Sequence, residues 1–172
     1  MKYQFLREQS DRYLKHMETI LKDHARHLIN IDLAPDNIDR TQATDMTVNV
    51  KGTSIALRVR EPSCKFRDFT VRSTVKSGNK TELDKLKEGY GDIYLYGWGD
   101  GKDRLLEYII LDIHQLRRSG LLDRTYIERP NGDGSKFIAI DLLDLQQTNC
   151  ILEYELSQKT KYELNKKYME VV

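Results

Sequence analysis

Residues 46 to 60 carry the tightest local constraint in the chain. Met46-Thr-Val-Asn-Val-Lys and Ser54-Ile-Ala-Leu-Arg-Val-Arg are two runs rich in β-branched residues, with Gly52-Thr53 between them. Branched side chains fit a pleated strand, and a glycine between two such runs supplies the turn, so the stretch predicts a β-hairpin. Pro62 stops the second arm, because proline cannot donate to a ladder.

The segments around the hairpin extend it into a layered fold. Leu6, Tyr13, Met17, Ile20, Leu21 and Leu28 recur at steps of three, four and seven, predicting a helix over residues 4–28 with one apolar stripe. Ile29 to Ala34 is a short alternating stretch closed by Pro35, and a polar loop follows. After the hairpin, Asp68 to Ser73 alternates again, and Thr81 is placed to cap a helix from Glu82 to Glu88, ending at Gly89. Asp92 to Trp98 and Glu107 to Ile113 are apolar strands joined by the turn residues Gly99-Asp-Gly-Lys-Asp. A short helix from His114 breaks at Gly120. Residues 130–135 are loop, 136–141 a strand, 142–149 a helical turn, and the tail from Ser157 a charged helix. Helix, strands, helix and strands in this order predict an α/β fold, a mixed β-sheet flanked by helices. With 172 residues and no internal repeat or low-complexity tract, a single domain is expected over 1–172.

Composition excludes several classes. With 39% hydrophobic and 32% charged residues the chain has enough apolar material to fold. No apolar run approaches the roughly 18 residues of a membrane span, and the charged N-terminus lacks a signal-peptide core. A cytoplasmic protein without membrane contact is expected. Cys64 and Cys150, with no CxxC spacing, are expected to be free thiols. His24 and His27 stand near the end of the first helix, where a cation is favoured, and further zinc ligands are not evident.

The net charge of +1 conceals an asymmetry. Between Lys51 and Lys87 ten basic residues face four acidic ones, while Asp32, Asp36, Asp39 and Asp45 precede them with only Arg40 opposed. A basic field beside an acidic cluster suggests a charged site and a polyanionic partner.

Helix, strand, Asp-led strand, charged strand, helix and strand over residues 1–113 resembles the core of the PD-(D/E)XK nuclease superfamily, with 114–172 as C-terminal additions. That resemblance implies a restriction-endonuclease-like core, a Mg²⁺ cofactor and phosphodiester hydrolysis. It matches Glu8 to the acid of the first helix and Asp45 to the strand aspartate, which would be the metal ligand. The third motif departs from the pattern. Arg58-Val59-Arg60 stands where an acid and a lysine belong, and Glu61 alternates to the other face. Either another carboxylate such as Glu82 substitutes, or the chain is a non-cleaving relative.

Four sets of residues are therefore candidates. Asp45 offers a hard oxygen ligand for Mg²⁺ at a strand entry. Arg58, Arg60, Arg67 and Arg72 form a series suited to bidentate phosphate contact, or alternatively to pairing with Glu61, Asp68 or Asp84. Glu82 and Lys85, one helical turn apart, either face the Asp45 site or form an ordinary helix-start acid with an i, i+3 pair. Tyr94, Tyr96 and Trp98 share one strand face, and with Tyr90 they either stack on bases or, as a covered face, build the core. The catalytic set is then Asp45, Glu8, Glu82 and Lys85. The function expected is nucleic-acid processing, in phage-like proteins among others. The alternative is an inactive module that binds nucleic acid or protein, such as an inhibitor of a nucleic-acid-handling machine.

Overall fold

The computed structural model describes residues 8, 11–24, 31–33, 46–48 and 53–171. Strand β3 (Thr53–Arg60) lies at the centre of the arrangement. Its alternation sends Ile55, Leu57 and Val59 to one face and Ala56, Arg58 and Arg60 to the other. On one side β3 pairs antiparallel with β2 (Met46–Val48), which pairs antiparallel with β1 (Ile31–Leu33). On the other side it pairs in parallel with β5 (Ile93–Gly99), from Ile55↔Ile93 to Arg60↔Trp98. β6 (Leu105–Asp112) and β9 (Ile151–Glu155) continue the sheet antiparallel, giving the order β1-β2-β3-β5-β6-β9.

Helix α1 (Leu14–His24) covers one face of this sheet. Tyr13, Met17, Ile20 and Leu21 pack on Ile55, Leu95, Leu105, Tyr108 and Ile110, as the stripe in the sequence predicts. The approach is close at Gly99, where an added Cβ would lie 2.5 Å from the Tyr13 ring. Tyr13 Oη accepts from the Gly101 amide at 3.1 Å, and Arg12 donates to the Gly101 carbonyl at 2.9 Å, so the β5–β6 turn is tied to the helix.

The opposite face is covered by a second sheet and short helices. β4 (Asp68–Thr74), β8 (Lys136–Asp141) and β7 (Arg129–Pro130) form an antiparallel sheet in the order β4-β8-β7. α2 (Glu82–Lys87), α3 (Ile113–Arg118), α4 (Leu142–Gln147) and α5 (Gln158–Val171) complete the element order, with a 3₁₀ turn at Leu121–Asp123. Phe69 and Val71 of β4 and Ile138 and Ile140 of β8 face Tyr94, Tyr96, Trp98, Ile109 and Leu111 of the main sheet. Phe69 meets Tyr94 and Tyr96 edge-on at 5.1 and 5.2 Å, contacts worth about 1 kcal/mol each beyond burial. The Tyr94–Tyr96–Trp98 face is thus core, as its covered-face reading has it.

The mixed sheet with flanking helices agrees with the sequence; the second sheet does not appear there. The Asp68 run leaves the main sheet, and two strands form where none was expected, 129–130, at the edge of the expected 130–135 loop, and 151–155. The C-terminal part is also integral, because β8 supports β4 and β9 extends the main sheet. Among the described residues, no helix is long and apolar enough to cross a membrane, and Cys64 and Cys150 are free.

The Gly99–Tyr13 contact generates the first prediction. Gly99→Ala should lower stability by about 1–3 kcal/mol through overpacking, read as a lower urea midpoint. Gly132→Ala, where an added Cβ meets nothing within 4 Å, serves as the control.

Candidate nucleic-acid interface

The capping of α2 sets the charged centre of the protein. Thr81 accepts from the Asp84 amide at 3.1 Å, and Asp84 accepts from the Thr81 amide at 2.8 Å, a reciprocal capping box. This start aims Glu82 at the main sheet. Glu82 Oε2 accepts from Arg58 Nη1 at 2.6 Å and from the Arg72 amide at 3.0 Å, and Oε1 accepts from the Tyr94 hydroxyl. Arg58 also donates to the Thr70 carbonyl at 3.3 Å. Burial works against the Arg58 charge, but Glu82 together with Tyr94 and Tyr96 outweighs it and raises the guanidinium pKa.

The next two arginines are also engaged by the protein. Arg60 donates to Thr70 Oγ1 at 3.0 Å and to Cys64 Sγ at 3.2 and 3.4 Å, and Thr70 Oγ1 lies 2.8 Å from Tyr96 Oη. Arg67 pairs with Glu107, donates to the Cys64 carbonyl at 2.9 Å and stacks on Trp98 at 5.1 Å. Glu107 in turn accepts from the Ser157 amide at 2.9 Å and from Thr160 Oγ1 at 2.5 Å. Burial raises the Glu107 pKa, yet the donors from Thr160, Ser157 and Arg67 bring it below the usual carboxylate range.

Arg58 and Arg67 therefore act as internal ties, with partners other than the acids nearest in sequence. Glu61 faces Arg12 at 3.6 Å, and Asp84 is held in the α2 cap. Asp68 lies in the electrostatic field of Arg60, and Asp133 in that of Arg72.

A different surface collects the remaining cations. Residues paired across an antiparallel ladder point to the same side. The pairs Asp68↔Asp141, Thr70↔Ala139 and Arg72↔Phe137 thus share the face of the small sheet opposite Phe69 and Val71, and Arg129 joins them through Arg129↔Phe137. Arg60 reaches this face from β3, its guanidinium 5.9 Å from the centre of the Phe137 ring. Arg60 thus meets this half-buried ring directly, Arg72 and Arg129 are its cross-strand neighbours, and exposed Lys65 lies on the adjoining loop. Asp68 Oδ1 and Arg72 Nε are buried there without a hydrogen-bond partner. Burial raises the Asp68 pKa despite Arg60 and Arg129, and Asp141 beside it adds to the rise.

Asp45 lies outside the described residues; Met46, which follows it, pairs with Ile55. Glu8 is helical and exposed, Glu82 is occupied by Arg58, and Lys85 sits half-buried on α2. No group of three or more His, Cys, Asp and Glu side chains able to hold a metal occurs among the described residues. Sequence reasoning missed Arg129, Phe137 and the role of Asp68. The alternation of residues 136–141 separates Phe137 from Ile138, but the pairing of β8 with β4 and β7 leaves no local signal. No family model matches this sequence, and a search of the curated proteins gives no match either.

Arg58→Ala should cost about 3 kcal/mol, because it strands the Glu82 carboxylate in a largely desolvated site. Adding Glu82→Leu should recover part of that loss in a double-mutant cycle by chemical denaturation. For Asp68 the sign is opposite. A folded pKa above the ordinary 3.8 means stability falls as pH rises through that window. Asp68→Asn should therefore raise the melting temperature at neutral pH, and the gain should vanish once the pH drops below 3.8.

Proposed function

We propose that this chain is a cytoplasmic nucleic-acid-binding protein on a PD-(D/E)XK-like scaffold that contacts phosphate rather than cleaving it. The observation that carries the reading is the outer face of the small sheet, where Arg60, Arg72 and Arg129 converge around Phe137. Guanidinium groups suit phosphate because their planar donors match its oxygens. Support for the scaffold comes from the strand order β1-β2-β3-β5, with an antiparallel meander and a parallel β3–β5 pair bridged by a helix-containing connection. Both Glu82 oxygens are used within the protein, which disfavours Glu82 as a replacement metal ligand.

The hydrolytic reading keeps one favourable observation, the pairing of β2 with β3. It brings the strand led by Asp45 beside the one that carries Arg58 and Arg60. In that reading Asp45, aided by Glu8, Glu82 or Lys85, holds Mg²⁺, and Asp45→Ala removes activity.

Binding of labelled single-stranded, duplex and branched oligonucleotides by fluorescence anisotropy tests the proposal. Affinity should fall steeply between about 50 and 200 mM salt, and Arg72→Ala with Arg129→Ala should flatten the slope by about two. Absence of binding to every form at low salt would falsify the reading and leave a protein-binding adaptor. Cleavage with Mg²⁺ that Asp45→Ala abolishes would instead establish the hydrolytic one.

A further inference from the structure

Phe66 is an exposed phenylalanine that the core does not explain. It is 62% exposed, between Lys65 and Arg67 on the loop that joins β3 to β4. The loop backbone is nevertheless firmly held. Trp98 Nε1 donates to the Phe66 carbonyl at 3.0 Å, the Cys64 amide donates to the Glu61 carbonyl at 2.9 Å, and Arg67 bonds the Cys64 carbonyl. A fixed backbone that presents a phenyl ring to water retains an apolar exposure that folding leaves unrelieved.

The loop that carries this ring adjoins the arginine-lined face through its backbone. Cys64 Sγ lies 3.6 Å from the Phe66 carbonyl and 3.2 Å from the Arg60 guanidinium, which in turn lies over Phe137. Across this stretch of surface, the loop bearing exposed Phe66 and Lys65 is followed by Arg60, then by Phe137 between Arg72 and Arg129. Two aromatic rings interleaved with four cations are the elements of a stacking platform. Phosphates follow the cations, and unpaired bases lie on the rings, a mode that tolerates any sequence because every base has a π-face. A duplex keeps its bases stacked on each other and has none to place on Phe66 without opening. An acidic peptide would use the arginines but has no planar group for the rings.

We infer that this stripe, from Phe66 across the outer face of the small sheet to Arg129, binds single-stranded nucleic acid, with Phe66 as the stacking anchor. The inference rests on the nucleic-acid-binding function proposed above and specifies its substrate class.

The test uses the full chain and a labelled oligothymidylate of about 12 nucleotides, with a duplex of equal length and polyglutamate as competitors. The single strand should bind several-fold more tightly than the duplex. Phe66→Ala should weaken it about fivefold to a hundredfold, the range for losing one stacked base. Phe66→Trp should retain binding and report it by fluorescence quenching, since the one native tryptophan, Trp98, is buried. Unchanged circular dichroism of both variants shows that the fold persists. Equal affinity for strand and duplex with no effect of Phe66→Ala would overturn the inference, while loss of binding in Arg72→Ala with Arg129→Ala would leave nucleic-acid binding itself standing. Displacement by polyglutamate as effective as by unlabelled oligothymidylate would also overturn it, in favour of an acidic protein partner. Failure of every nucleic acid to bind removes both readings together.

Discussion

Glu82 is the point on which the two layers of this protein are joined. Strand alternation obliges Arg58 to face the same side as Ala56 and the aromatic row of β5, where a guanidinium without a carboxylate would be costly. Glu82, at the first turn of α2, meets Arg58, Tyr94 and the Arg72 backbone together. One side chain therefore connects the central strand, its parallel neighbour, the edge of the small sheet and the helix between them. A buried ion pair adds little net stability, but it penalises any other placement of β4 or α2, because a misplaced layer would leave a charge unpaired. The tie thus selects the arrangement more than it strengthens it.

That use of charge redistributes the functional surface. Arg58 and Arg67 hold structure, one through Glu82 and the other through Glu107 and Trp98. Arg72 and Arg129 stand on the far side of β4, joined there by Arg60, which Thr70 and Cys64 already hold. The basic excess of residues 51–87 is consequently divided between an internal network and an outer face. Burial of Asp68 at that face raises its pKa, against the opposing fields of Arg60 and Arg129.

Much of the architecture is legible in the residues themselves. The hairpin of β2 and β3 follows from branched runs around Gly52, and the start of α2 follows from Thr81 and Asp84. The break after α3 follows from Gly120, whose φ of +72° suits glycine. The Tyr13–Met17–Ile20–Leu21 stripe marks the buried side of α1. Less legible is the departure of β4 into its own sheet, since alternation at 68–73 is the same whichever sheet receives it. The short β7 and the edge strand β9 are likewise stabilised by neighbours rather than by their own composition. For the candidate site, the type of residue was readable and the assignment was not: four arginines stood out, yet which of them pair internally depends on acids 24 and 40 residues away.

By itself, then, the sequence determined the elements, the faces that each buries and the abundance of cations in the middle of the chain, because these depend on periodicity and on residue chemistry within a turn or a strand. The tertiary structure alone decided that Glu82 and Glu107 take Arg58 and Arg67. It also decided that Phe137 and Arg129 come beside Arg72, with Arg60 reaching the Phe137 ring. The reason is physical: a charge or a ring acquires its role from what lies within a few ångströms of it. Those neighbours are set by how distant strands pair and layers pack, which no local pattern encodes.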